Sequence, residues 1–129
     1  MSMNTICYFE IQSSQPAREI DFYRNVFGWE FIRDESVPIE FYQLDNAGLN
    51  AALFKRPAKV PPKKHGTNAF TCSVVVKSFE LTQRLILKNG GQLAMPMFSI
   101  PGKGWQGYFM DADNNVFGIF QEDSSAGKK

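Results

Sequence analysis

Ile6-Cys7-Tyr8-Phe9-Glu10-Ile11, then Gln12-Ser13-Ser14-Gln15, then Pro16-Ala17-Arg18-Glu19-Ile20-Asp21-Phe22-Tyr23-Arg24-Asn25-Val26-Phe27-Gly28: these three pieces, read in order, decide the fold. The first is a short β-prone run and the second a polar connection. Pro16 suits the first turn of a helix, where a missing N–H costs nothing. From Ala17 to Phe27 the apolar positions Ile20, Tyr23 and Phe27, with Phe22 and Val26 beside them, recur at helical spacing. Gly28 is the expected stop. Three strands are expected next, Trp29 to Arg33, Ile39 to Leu44 and Leu49 to Phe54, with a turn at Asp45-Asn46-Ala47-Gly48.

Outward from this unit, the second half repeats the order. Ala69 to Val76 reads as a strand, and Ser78 as the cap of a helix running to about Lys88 with Leu81, Leu85 and Ile86 as its buried stripe. Asn89-Gly90-Gly91 stops it. Gln92 to Met95, Gly104 to Met110 and Val116 to Gln121 follow as strands, with Asp111 to Asn115 as a hairpin turn. Pro96 to Gly104 is expected to be a lid. The fold so spelled is α+β, two βαβββ modules forming a curved sheet around a cleft. The whole is one domain. Module one covers about 5–55, an exposed proline- and lysine-rich linker 56–66, module two about 67–122, and a frayed polar tail 123–129.

Composition narrows the function. At 129 residues, 43% hydrophobic and 21% charged, the chain has the make-up of one globular domain. Fourteen Lys and Arg against thirteen Asp and Glu leave a net charge of +1, which argues against a nucleic-acid module. No apolar run has the length of a membrane span. Met1 to Glu10 lacks the charge and apolar core of a signal peptide. Cys7 and Cys72 lie in apolar runs without metal-type spacing, and are expected to be buried and reduced in a cytoplasmic protein.

Tyr8-Phe9-Glu10-Ile11 and Phe22-Tyr23-Arg24-Asn25-Val26-Phe27-Gly28-Trp29-Glu30-Phe31 resemble the opening of glyoxalase/bleomycin-resistance/dioxygenase proteins, the vicinal-oxygen-chelate superfamily. Ile100-Pro101-Gly102 and Asp111 through Gln121 resemble its closing strand pair. The resemblance implies a homodimer and, in catalytic members, a divalent metal held by four ligands. At the matching positions this chain has Tyr8, Thr71, Gly118 and either Ala51 or Ala52. Ala and Gly offer no donor, and Tyr and Thr are poor ligands beside imidazole, carboxylate or thiolate. No metal and no other cofactor is therefore expected.

Strand alternation sets Tyr8 and Glu10 on one face, so Glu10 is the one candidate general base, with a merely structural carboxylate as the plainer alternative. Thr71 and Ser73 share a face on the fifth strand, where they can bond a ligand or each other, and neither has a histidine beside it to activate it. Tyr8, Tyr42, Phe54, Trp105, Tyr108 and Phe120 are the aromatic candidates to line the cleft. His65, in the linker, is a weak further candidate. Asp111 to Glu122 imitates a calcium loop, but Val116 to Gln121 reads as strand, so a hairpin turn is expected.

The leading functional expectation is a superfamily member that binds a small apolar or aromatic molecule. One alternative is an enzyme of lyase, isomerase or dioxygenase type using Glu10 or an atypical metal site. The other is a non-catalytic dimeric interaction subunit. No nucleic acid or membrane partner is expected.

Overall fold

The computed structural model describes residues 3–4, 6–64 and 70–128. The chain divides into two compact units, one ending at Val60 and the other beginning at Pro61. In the first, β1 (Tyr8–Ser13), α1 (Pro16–Phe27), β2 (Phe31–Arg33), β3 (Phe41–Leu44) and β4 (Asn50–Lys55) form a sheet of order β1-β4-β3-β2. The second holds β5 (Ser73–Val75), α2 (Phe79–Lys88), β6 (Gln92–Ile100), β7 (Gly104–Met110) and β8 (Val116–Glu122), in the order β5-β8-β7-β6. In each the first and fourth strands pair in parallel and the other pairs run antiparallel. The repeated βαβββ order read from the sequence is therefore the architecture of both modules, each with a mixed sheet as in glyoxalase-like folds.

In module one Pro16 opens α1, and Gly28, at φ 74°, ends it by donating its N–H to the Arg24 carbonyl at 2.9 Å. Ile20, Phe22 and Tyr23 are buried against β1 and β4, where Ile11, Ala51 and Leu53 point inward. Each such fully buried side chain contributes about 1.5–3 kcal/mol. Trp29 lies outside β2 and joins Tyr23 and Phe27 in a ring cluster, with centroids 5.4 and 5.0 Å from its own. Beneath the start of α1, the buried Glu19 carboxylate accepts from Ser13 Oγ and from Arg18 Nε at 2.8 Å.

In module two Ser78 caps α2, its Oγ accepting from the Leu81 N–H at 3.2 Å. The buried stripe differs from expectation. Phe79 and Ile86 are buried, while Leu81 and Leu85 are exposed. The helix leans on its first residue because the Phe79 ring meets Phe109 and fills the space over Gly107, where a Cβ would come within 2.6 Å of it.

Four further expectations are corrected. Both cysteines are exposed, because Cys7 precedes β1 and Cys72 precedes β5, outside the paired strands. The expected lid is mostly strand, since β6 runs on through Pro96 to Ile100. It does so as an edge strand with register shifts on both sides of Met95, where a proline needs no ladder partner. The tail is not frayed over 123–127. Ala126 is buried, its carbonyl accepts from the Gly102 N–H at 2.9 Å, and Asp123 Oδ1 accepts from the Ser125 N–H and hydroxyl. The fifth strand is shorter than read, and Ala69, its expected start, lies outside the described residues.

Candidate functional site

In each module the helix covers one sheet face, and the register shows which residues occupy the other. In module one Tyr8 pairs with Asn50, Glu10 with Ala52 and Gln12 with Phe54. Gln43 pairs with Ala52 and Phe41 with Phe54. Tyr8, Glu10 and Phe54 therefore share the open face. Tyr8 Oη donates to Glu10 Oε2 at 3.1 Å, and the Phe54 ring stacks on Phe41 at 5.9 Å. Partial burial of the phenol, reinforced by the neighbouring carboxylate, pushes the Tyr8 pKa up to about 12. Glu10 itself is exposed rather than enclosed by apolar walls.

Tyr42 does not join them. It pairs with Leu53 and Arg33, which puts it on the helix-covered face. There its hydroxyl donates to Glu40 Oε2 at 2.8 Å, and the Arg33 guanidinium lies 5.5 Å over its ring. The Glu40 hydrogen bond, with burial, raises the phenol's pKa above its ordinary value.

In module two Ser73 pairs with Gly118, Gly118 with Tyr108 and Tyr108 with Met95. Phe120 pairs with Val75 and Gln106 on the same open face. Gln106 Nε2 donates to Ser73 Oγ at 2.9 Å, so Ser73 is spoken for by a neighbouring strand. Trp105 has the opposite parity, pairing with Gln121, whose Oε1 accepts from the first N–H of α2. Its indole Nε1 donates to Asp123 Oδ2 at 3.0 Å, and the hydrogen bonds from Ser125 and Trp105 hold the Asp123 carboxyl below the usual range.

At one end of this open face lies a cavity of about 780 Å³, lined by Thr71, Gln92, Leu93, Ala94, Met95, Tyr108, Met110 and Val116, with Lys63 and Lys64 at its border. It brings together two of the expected residues, Thr71 and Tyr108. Phe98 stacks beside Tyr108 at 6.3 Å. Its volume falls in the range of small-molecule sites and its walls are apolar with a few polar groups, but it is open to solvent along β6, where Gln92, Leu93, Ala94 and Met95 are exposed. Gln92, Met95, Met110 and Val116 escape sequence reading as site residues. The alternation Gln106-Tyr108-Met110 along β7 is the signal that finds one of them. His65 lies outside the described residues. Of the calcium-like segment, Asp111 to Asn115 is a turn, in which Asp111 Oδ1 accepts from the N–H groups of Asp113 and Asn115 at 2.8 and 3.0 Å, and Val116 onward is β8.

The superfamily's metal positions can be tested on the same register. Ala52, not Ala51, shares a face with Tyr8 and Glu10, and its equivalent in module two is Gly118 beside Ser73. A Cβ built on Gly118 would lie 2.4 Å from both Gln106 Nε2 and Ser73 Oγ. The Gln–Ser hydrogen bond thus occupies the space a ligating side chain would need. Tyr8, Ala52, Thr71 and Gly118 do not fit a divalent cation. Among the described residues no three His, Cys, Asp or Glu side chains form a metal-binding group.

Comparison with known proteins agrees with the fold. The family model for the Glyoxalase/Bleomycin resistance protein/Dioxygenase superfamily matches residues 5–119, and the chain belongs to that superfamily. No curated protein matches it. Among solved structures it is similar to the fosfomycin resistance protein FosX of Listeria monocytogenes, at TM-score 0.75 and 15% identity over 95% of this chain and 94% of that one. It is also similar to a glyoxylase/bleomycin resistance protein/dioxygenase domain from Frankia sp. EAN1pec, at TM-score 0.72 and 18% identity over 95% and 100% of the two chains. A family enzyme from Burkholderia phytofirmans PsJN matches at TM-score 0.68 and 19% identity, over 90% and 97%. At such identities these likenesses show the fold alone. Among the described residues no helix is long and apolar enough to cross a membrane.

Proposed function

We propose that this superfamily member binds a small apolar or aromatic molecule on the open face of the module-two sheet, without the family's metal. The cavity beside Tyr108 carries the reading. Leu93, Met95, Met110 and Val116 supply apolar wall, the Tyr108 ring a flat surface, and Thr71, Gln92 and the phenol a few orienting hydrogen bonds. Methionines suit such a wall because their flexible thioethers adapt to different shapes. The whole chain acts as one domain in this reading. The homodimer expected from the resemblance accords with the edge strand β6, which beyond the cavity exposes Met97 and Phe98.

The test is calorimetric titration of a neutral aromatic probe, 2-naphthamide, into the purified chain, repeated on Ala94→Trp. Ala94 is exposed and borders the cavity, so an indole there obstructs the wall beside Met95 without disturbing the core. Saturable binding with one site, lost in that variant while its circular dichroism is unchanged, is the expected result. Equal binding to both proteins would sink the assignment of the cavity.

A second reading has one observation in its favour. The Tyr8–Glu10 hydrogen bond pairs a phenol and a carboxylate on the open face of module one, the pairing an acid–base step would use. In that reading Glu10 takes a proton and Tyr8 orients the substrate.

A further inference from the structure

The charge around the cavity narrows the class of molecule it takes. Lys63 and Lys64 are the two formally charged residues bordering it, and none of its lining residues is acidic. This is not a reflection of general basicity, since basic and acidic residues are almost equal in number along the chain. The lysines are brought there by a specific contact. Asn114, in the turn between β7 and β8 at φ 61°, donates its side-chain Nδ2 to the Pro61 carbonyl at 2.8 Å. That bond fixes the chain two residues before Lys63 beside the ends of β7 and β8, where Met110 and Val116 face the cavity.

Two exposed ammonium groups beside apolar walls make a one-signed field at the cavity border, which favours an opposite charge there. Thr71, just before β5, and Gln92, in β6, offer a hydroxyl and an amide toward opposite edges of the sheet, so each can bond a different part of the ligand. We infer that the cavity takes an amphiphilic organic anion, an anionic head group held by Lys63 and Lys64 on an apolar or aromatic body lying against Met95, Tyr108 and Met110. This rests on the reading of the cavity as a ligand site given above.

The experiment compares two probes of the same shape on the whole chain, 2-naphthoate and the neutral 2-naphthamide, by calorimetry at low and raised NaCl. At low salt 2-naphthoate should bind about threefold to fivefold more tightly, the size of one exposed ion pair. The gap should shrink as salt rises. In the Lys63→Gln/Lys64→Gln double variant the preference should vanish while 2-naphthamide binding is kept, which also shows that the variant is folded. The Lys63→Arg/Lys64→Arg variant should retain the preference. Equal affinities in the unmodified chain would overturn the anion inference and leave the ligand site standing. A preference that survives the double Gln variant would overturn it as well, by placing the cation elsewhere. Failure of both probes to bind would overturn the ligand site itself, and the inference with it.

Discussion

Tyr8 shows how one side chain carries both its origin and its consequence. Alternation in β1 was enough to put it on the face of Glu10, and the structure adds the 3.1 Å hydrogen bond between them. Burial raises the phenol's pKa most, and the bond to Glu10 and its charge add to the rise. Because the folded value lies above the unfolded one, the stabilisation is complete below pH 10.0 and is lost as pH rises through about 12. Spectrophotometric titration should therefore show one phenol ionising near 12, a component missing from Tyr8→Phe. In Glu10→Gln its midpoint should fall only part of the way back, since burial remains. A midpoint unmoved by Glu10→Gln would mean that the pair is not formed in solution. Gly118 illustrates the opposite case. Its type was legible, and so was the loss of a donor, but its crowding by Gln106 and Ser73 depends on three strands coming together and has no local signal.

At the scale of elements, α1 and the capping of α2 were legible because Pro16, Gly28 and Gly90 act through their own backbone and Ser78 through a hydroxyl that reaches only three residues along the chain. The buried stripe of α2 was not, because Leu81 and Phe79 are equally apolar and only the glycine opposite, Gly107, makes room for one of them. The β6 strand hid behind Pro96, which breaks a central strand but is tolerated at an edge. Residues past β8 look like a disordered tail in composition, yet Asp123 is fastened to Trp105 and Ser125. Those hydrogen bonds, Ser125 first, lower the Asp123 pKa. The contribution they make is present above the ordinary aspartate value and is lost as pH falls through the depressed one. The Trp105 indole proton, followed by NMR, should accordingly shift in acid with a midpoint below the usual carboxylate range, and stay flat in Asp123→Asn. A midpoint at the ordinary value would detach the segment from β7.

For the molecule as a whole, the sequence repeats one topology, and both modules realise it with the same strand order and the same parallel pair. The fold was legible because a β-α-β-β-β order written twice leaves few arrangements. The site was legible only in part. Thr71 and Tyr108 reach the cavity, but Tyr42 and Trp105 fall on helix-covered faces, since an aromatic residue alone does not announce which side of a sheet it takes. Lys63 and Lys64 read as solvated linker charges and are exposed, but their place beside the cavity was hidden because the Asn114–Pro61 contact spans fifty-three residues of sequence.

In the proposed function a small molecule lodges beside Tyr108 on module two. The most direct test is to follow the methionine methyl signals by NMR during titration with 2-naphthamide, assigning each by single substitution. The Met95 and Met110 methyls should shift and saturate together, because both line the cavity. Saturable binding with neither methyl moving would contradict the account and send the search for the ligand to another surface.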